Sequence, residues 1–202
     1  MQILLQLSRL IDAFTHRLGK LAGWLVLAAV LISAGNAIMR KAFSIGSNAY
    51  LEVQWYLFCA VFKLAAAYVF LQNAHVRIDF VSSRLSKRTN AIIDTLGITL
   101  FLIPLCVILI NLSWPYFMRT YLSGEMSENA GGLIRWPAVM LIPLGFSILL
   151  MQALSELIKR LAFLTGHRNE PFSFINEKTP EEEMVEELEA AAAAEAAKGV
   201  RS

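Results

Sequence analysis

The sequence predicts an all-α integral membrane protein with four transmembrane helices and both termini in the cytoplasm. Hydrophobic residues make up 56% of the 202-residue chain and charged residues only 17%, whereas soluble domains carry about a quarter charged residues. The apolar residues form four long continuous runs, which is typical of membrane helices and unlike the alternating pattern of a membrane β-barrel. Basic residues are concentrated in alternate loops, and this bias predicts the orientation.

Residues 1–20 predict an amphipathic helix that lies in the cytoplasmic interface of the membrane. Apolar residues recur there at helical spacing opposite a polar face. A disordered leader is the alternative, and the charges argue against a cleavable signal peptide. The apolar positions are Ile3, Leu4, Leu7, Leu10, Ile11, Phe14 and Leu18, and the polar face holds Gln6, Arg9, Arg17 and Lys20.

The membrane domain is predicted over residues 21–160. A helix needs about 20 mostly apolar residues to cross the hydrocarbon core, and its backbone must be helical because lipid offers no hydrogen bonds. Pro137 falls in a first helical turn, which tolerates proline, while Pro104 and Pro143 are predicted to kink their helices. The four spans are predicted at about 21–39, 53–74, 95–118 and 136–158.

The orientation follows from ten basic residues on one side of the membrane against four on the other. The ten are Arg9, Arg17, Lys20, Arg77, Arg84, Lys87, Arg88, Lys159, Arg160 and Arg168, and the four are Arg40, Lys41, Arg119 and Arg135. Four tryptophans are predicted to anchor the helices at headgroup depth. Trp55, Trp114 and Trp136 mark outer ends, and Trp24 marks the inner end of the first span.

Residues 161–202 are predicted to form an acidic cytoplasmic tail. Residues 169–202 hold 3 basic and 9 acidic side chains, whereas residues 1–168 hold 15 basic and 7 acidic ones. After Pro180 the tail is rich in glutamate and alanine. Such a segment has little to bury, and a solitary helix is marginal in water, so we expect disorder or weak helicity.

The reactive side chains do not suggest an enzyme. His16, His75 and His167 lie at the cytoplasmic edge, whereas haem ligation between helices needs histidines at matching depths inside the bundle. Cys59 and Cys106 lie within spans and form no CxxC pair, which favours buried thiols. The sequence contains no phosphate-binding glycine loop and no HExxH motif. We therefore expect no catalytic residue, no metal, no cofactor and no nucleic-acid partner.

Lys63 is the one charged residue near the midpoint of a predicted span. A charge at this depth is costly and suggests a function by default, such as an ion or substrate pathway. The structural alternative is a pairing with a partner subunit, with a lipid phosphate, or with Glu52 through water. We favour the structural alternative because no intramembrane acid accompanies Lys63 to form a relay.

Two further polar clusters lie at the membrane edges. Arg40 and Glu52 flank the first outer loop, and His75, Arg77 and Asp79 follow the second span. Solvated turns would explain either cluster. The functional hypothesis is that these residues brace helix ends against each other or against another protein.

The motifs and their order resemble the small membrane subunit, of DctQ type, of tripartite ATP-independent periplasmic (TRAP) transporters. The resemblance covers roughly residues 10–165, while the acidic tail and Lys63 depart from it. It rests on four short spans, an arginine that closes the first, and a series of local motifs. These motifs are Tyr50-Leu51-Glu52-Val53-Gln54-Trp55-Tyr56, Ala65-Ala66-Ala67-Tyr68, His75-Val76-Arg77-Ile78-Asp79, and the loop from Ser123-Gly124-Glu125-Met126-Ser127 through Gly131-Gly132-Leu133 to Trp136-Pro137.

The resemblance implies a non-catalytic subunit in a bacterial inner membrane. In such systems a periplasmic binding protein captures an organic anion, and a large membrane subunit carries it inward by an elevator-like movement driven by sodium. The small subunit binds no substrate and supports the stationary part of the large subunit. It implies interface roles for Arg40, Glu52, His75, Arg77 and Asp79. The candidate surface for docking the binding protein is the loop Tyr121 to Arg135, with Glu125, Glu128 and Arg135.

Two other functions are compatible with a small helical membrane protein. A stand-alone transporter acting as a homodimer predicts internal similarity between the two halves, and none is evident beyond hydropathy. A redox membrane subunit predicts bound haem or quinone, and the positions of the histidines argue against it.

Overall fold

A computed structural model describes residues 2–44, 46–72 and 85–167. Four of its helices are long and apolar enough to cross a membrane, which confirms the predicted number of spans. They are α1 (Gln2–Phe43), α2 (Asn48–Leu71), α3 (Lys87–Ser123) and α4 (Trp136–Leu164). We call the end where residues 124–135 connect α3 to α4 the loop end. The opposite end, where α1 begins and α4 ends, is the terminal end.

Helix α1 runs without interruption through the predicted interfacial segment and the predicted first span. Its 42 residues give a length of about 63 Å, roughly twice the hydrocarbon thickness of a bilayer. In its first half the side chains of Ser8, Asp12 and Thr15 are fully buried, whereas Ile3 and Leu10 are exposed. This half therefore turns three polar side chains toward the protein, whereas apolar residues and the predicted polar face of Gln6, Arg9, Arg17 and Lys20 are both exposed. Its predicted location in the interface stays a prediction.

Helix α4 is the centre of the bundle, because it contacts all three other helices. Helices α1 and α2 also pack against each other, around a core of Ala22, Leu64, Ala67 and Ile148. Small residues let membrane helices approach closely. A Cβ atom at Gly19 would lie 2.3 Å from the Tyr68 ring, so this ring of α2 packs directly against the backbone of α1.

Helix α3 contains a π-helical turn over Ile98–Leu102, just before Pro104. Proline lacks an N–H group and its ring clashes with the carbonyl of the residue four positions earlier, which is Leu100. A wider turn relieves this clash. The kinks predicted at Pro104 and Pro143 stay predictions. Helix α4 begins at Trp136 with Pro137 in its first turn, as predicted.

Candidate interface sites at the two ends of the bundle

At the loop end, the side chain of Glu52 is buried against the connection between α3 and α4. Its Oε1 atom accepts hydrogen bonds from the Ser127 hydroxyl and from Asn129 Nδ2, the latter at 2.8 Å. Its Oε2 atom accepts a bond of 2.6 Å from the Leu133 backbone N–H. Three donors from one loop therefore surround one carboxylate, and charge-assisted bonds of this kind are stronger than neutral ones.

The connection itself is a short hairpin, which we call the 124–135 hairpin. The Ser127 N–H donates to the Leu133 carbonyl at 2.9 Å, and the Arg135 N–H donates to the Glu125 carbonyl at 3.0 Å. The Arg135 guanidinium also forms an ion pair with the Glu125 carboxylate. These bonds close the hairpin on itself, so it presents a defined surface at the loop end.

Helix α2 holds the 124–135 hairpin at two further points. Asn48 Nδ2 donates to the Ala130 carbonyl at 2.9 Å, and the Tyr56 hydroxyl donates to the Ile134 carbonyl at 3.1 Å. A Cβ atom at Gly132 would lie 2.7 Å from Glu52 Oε1, so only glycine fits beside the carboxylate. One face of α2 thus fixes the position of the hairpin.

The structure brings only some of the predicted loop-end residues together. Glu52 braces the hairpin, and Glu125 pairs with Arg135, whereas the Glu128 side chain is exposed. Arg40 is exposed at the end of α1 and does not contact Glu52. Within the described part of the chain Arg40 forms no hydrogen bond or ion pair.

At the terminal end, four buried charged side chains and the partly exposed Asp94 form a cluster that was not predicted from the sequence. We call Asp12, Asp94, Glu156, Lys159 and Arg160 the charge cluster. Lys159 Nζ donates to Asp12 Oδ2 at 2.9 Å and also pairs with Glu156. Arg160 pairs with Glu156 and, at 3.3 Å, with Asp94. The cluster therefore links α1, α3 and α4 in one network.

Neutral side chains complete the hydrogen bonding of Asp12. Ser155 Oγ and Gln152 Nε2 donate to Asp12 Oδ1 at 2.7 Å and 3.0 Å. The hydroxyls of Ser8 and Ser155 lie 2.7 Å apart. Removing one member of a buried ion pair typically costs about 3–5 kcal/mol because an uncompensated charge remains. Loss of any one charged member would therefore leave an uncompensated charge buried between α1 and α4.

Several residues of the charge cluster were recognisable in the sequence, but they were interpreted in other ways. Glu156, Lys159 and Arg160 stand three and four residues apart, a spacing that places them side by side on a helix. Lys159 and Arg160 instead counted toward the positive side of the membrane. Asp12 lay in a segment predicted to face lipid and water rather than α4.

Lys63 lies between α2 and α4, where its side chain fits a notch left by Gly145. A Cβ atom at Gly145 would lie 2.7 Å from Lys63 Cβ. The ammonium lies 4.5 Å from the centroid of the Phe146 ring and 5.7 Å from that of Phe62. Cation–π contacts contribute about 2 kcal/mol when desolvated, whereas a charge at the bilayer centre costs at least about 2.5 kcal/mol. Two such contacts are comparable in size to that lower bound, so the rings offset a large part of it.

The remaining predicted residues are the four tryptophans and two groups of residues outside the described part of the chain. Trp24, Trp55 and Trp114 are exposed, and Trp136 packs edge-on against Tyr121 at 5.6 Å between ring centroids. Their role as membrane anchors stays a prediction. His75, Arg77 and Asp79 lie outside the described residues, as does the acidic tail from residue 168 onward.

The described residues offer little for chemistry on a bound molecule. Among them no group of three or more His, Cys, Asp or Glu side chains is placed to hold a metal ion. Cys59 and Cys106 are both free thiols. A groove of about 350 Å³ between α1 and α2 is mainly apolar, and it is lined by Ile32, Gly35, Asn36, Met39, Ser47 and Tyr50. The polar groups of this helical membrane protein mostly join helices to each other.

Comparison with known families identifies the kind of membrane protein. Residues 29–163 match the family model described as tripartite ATP-independent periplasmic transporters, DctQ component. The match spans the greater part of the chain and all four helices, so the chain belongs to this family of TRAP transporter small membrane components. Searches of curated proteins and of solved structures found no match.

Proposed function

We propose that the chain is a non-catalytic scaffold for the large, substrate-translocating subunit of a TRAP transporter. The complete system takes up an organic anion, is driven by sodium, and receives its substrate from a periplasmic binding protein. The protein lies in a bacterial inner membrane with both termini in the cytoplasm. It needs no cofactor, because it takes no part in a chemical step.

The observation that carries this proposal is the use of the buried polar groups. Glu52 is occupied by the 124–135 hairpin, and Asp12, Glu156, Lys159 and Arg160 are occupied by one another. A translocation pathway needs polar groups that face a passage and can exchange partners. Groups that tie helices together instead make a rigid block, which suits a subunit that supports a moving partner.

The 124–135 hairpin is the proposed docking surface for the periplasmic binding protein. In the proposed orientation it lies on the periplasmic side, because the alternate loops carry most of the basic residues. Glu128 is exposed at its tip, and Glu125 and Arg135 are partly exposed along its base. Its attachment to α2 supports this role, since a fixed surface loses less conformational entropy on binding than a flexible loop.

The remaining predicted interface residues are proposed contacts with the large subunit. Arg40 and Lys63 have no carboxylate partner within the described part of the chain. For His75, Arg77 and Asp79, the proposed contact with the large subunit is supported only by the resemblance to the family. We expect Arg77→Ala or Glu52→Ala to lower the assembly of the complex and to leave substrate affinity unchanged.

Co-purification tests the proposal directly. The tagged chain is expressed with the large membrane subunit of the same transporter and extracted in mild detergent, and the components that it retains are identified by mass spectrometry. A stoichiometric multi-span partner is the expected result. A chain that purifies alone as a folded homodimer would contradict the proposal and favour a stand-alone transporter.

A transport assay supplies the second measurement. In vesicles that contain both membrane subunits and the binding protein, we expect uptake to require a sodium gradient and to stop when this chain is omitted. Glu128→Gln and Arg135→Gln should raise the concentration of binding protein needed for half-maximal uptake. An unchanged requirement in both variants would remove the 124–135 hairpin as the docking surface.

A further inference from the structure

We infer that the Lys63 ammonium forms an ion pair with an acidic side chain on a membrane helix of the large subunit, near the middle of the bilayer. This inference rests on the proposed function and adds the chemistry of one contact to it. The starting observation is a lysine inside the membrane whose ammonium contacts two aromatic rings and, among the described residues, no carboxylate.

The depth of Lys63 can be estimated from two helices independently. Along α2, Lys63 lies eleven residues past Glu52, which the hairpin marks as the edge of the bundle, a distance of about 16 Å. Along α4, Phe146 lies ten residues past Trp136, a distance of about 15 Å. Half the hydrocarbon thickness is also about 15 Å. Both helices therefore place the ammonium near the midplane.

A lipid phosphate does not fit this position. Lysines reach headgroups by extending along the helix axis, and they do so near helix ends. The Lys63 side chain instead crosses toward α4, beside Gly145, and its ammonium lies over the Phe146 ring at the depth of its own residue. The side chain is directed sideways, and a group that meets it must come from within the membrane.

The described acidic residues of this chain already have other partners or lie too far along the membrane normal to reach Lys63. Glu52 holds the 124–135 hairpin about three helical turns away. Asp12 and Glu156 are bound to Lys159 at the terminal end. Because no acid of the described residues pairs with Lys63, we assign the counter-charge to a partner helix. A carboxylate is the group that neutralises an ammonium and accepts its N–H donors.

The neighbouring surface of α2 is suited to such a helix. Trp55, Phe58 and Phe62 form an exposed aromatic stripe that runs from the loop end to Lys63. Aromatic residues are enriched at protein interfaces, where they supply large contact areas. A partner helix lying along this stripe would bring its side chains over the ammonium at the end of the stripe.

The first experiment compares the amount of large subunit retained by tagged variants of the full chain. Lys63→Met removes the charge and keeps the length of the side chain, and we expect it to lower retention about tenfold, as for the loss of one intramembrane polar contact. Lys63→Arg should retain most of the complex. Lys41→Met is the matched control, since Lys41 is an exposed lysine at the end of α1, and it should behave as wild type.

The second experiment changes the partner and leaves this chain intact, so that misfolding of Lys63→Met cannot decide the outcome. Each Asp or Glu within the spans of the large subunit is replaced by Asn or Gln. One such replacement should reproduce the loss of retention. Combining a lysine at that acidic position with Lys63→Glu should restore the complex, because the pair is reversed and remains neutral.

The possible failures are distinguishable. If the wild-type chain retains no large subunit, the proposed function itself is wrong. If wild type and Lys63→Met retain it equally, the subunit role stands and the contact at Lys63 is wrong. If Lys63→Met loses the complex but no acidic replacement in the large subunit reproduces the loss, the partner group is not a carboxylate.

Discussion

The two ends of the bundle use buried charge in different ways. At the loop end a single carboxylate, Glu52, accepts hydrogen bonds from neutral donors of one loop. At the terminal end the charge cluster pairs acids with cations across three helices. The first arrangement fixes the position of a loop on one helix, and the second fixes helices relative to each other. Damage to the first should therefore stay local, whereas damage to the second should spread through the bundle.

The largest expected effect comes from Lys159→Met. This change removes the cation that contacts both Asp12 and Glu156 and leaves two buried carboxylates near each other. We expect the free energy of unfolding in detergent to fall by about 3–5 kcal/mol, measured by thermal or denaturant unfolding. The double variant Asp12→Asn with Lys159→Met should regain part of the loss because one acid is neutralised with the cation. Equal stability of Lys159→Met and wild type would refute the structural role of the charge cluster.

The next effect is expected from Glu52→Gln. An amide cannot accept the Leu133 N–H and the two side-chain donors as a carboxylate does, so we expect a loss of about 1–3 kcal/mol. Hydrogen exchange should become faster in the 124–135 hairpin and stay unchanged in α1. Glu128→Gln, at an exposed position of the same hairpin, is the control and should alter neither. Faster exchange throughout the bundle would show that the two ends are not independent.

Gly19→Ala is expected to have a smaller effect. It tests whether the terminal half of the bundle also depends on close contact between helices. Gly19→Ala places a methyl group 2.3 Å from an atom of the Tyr68 ring, and we expect a loss of about 1 kcal/mol, the low end for overpacking, since the ring can rotate. Gly23→Ala is a matched control one turn later on α1, where an added Cβ meets nothing within 4 Å. Thermal unfolding should separate the two variants. Identical curves would mean that α1 and α2 can move apart without loss.

The smallest effect is expected from Arg135→Gln, which breaks the ion pair with Glu125. Both side chains are more than one-third exposed, and pairs of this kind contribute about 0–1 kcal/mol. Stability should therefore change little, and high salt should have a similarly small effect on the wild type. A drop comparable to that of Lys159→Met would contradict the comparison between the two ends.

The span pattern was predictable from the sequence because lipid imposes length and hydrophobicity on each helix separately. The residues that pair at the terminal end were not, because Asp12 and Lys159 stand 147 residues apart and share no local pattern. The burial of Asp12 against α4 was missed for a related reason. Hydrophobic spacing distinguishes an apolar face from a polar one, and it does not reveal which face a distant helix will cover.

The contacts at the loop end were less predictable from the sequence than the spans and more predictable than the pairs at the terminal end. The sequence singled out Glu52 as an interface residue and, separately, the loop Tyr121 to Arg135 as a docking surface. Their contact depends on donors that follow Glu52 by 75 to 81 residues, and hydropathy carries no information about such pairing. The adjacent residues Gly131 and Gly132 were a sequence signal for this contact, because glycines in a loop indicate a close approach of the backbone.

The network between α1 and α4 also sets an order for biosynthesis. Asp12 is synthesised before its partner Lys159, which follows it by 147 residues and lies on α4. Until that helix arrives, the nascent chain carries an unneutralised acid on α1, which is the kind of defect that cellular proteases and chaperones detect. The pairing of Asp12 is thus coupled to the synthesis of α4, and products truncated before α4 should be cleared rather than accumulate.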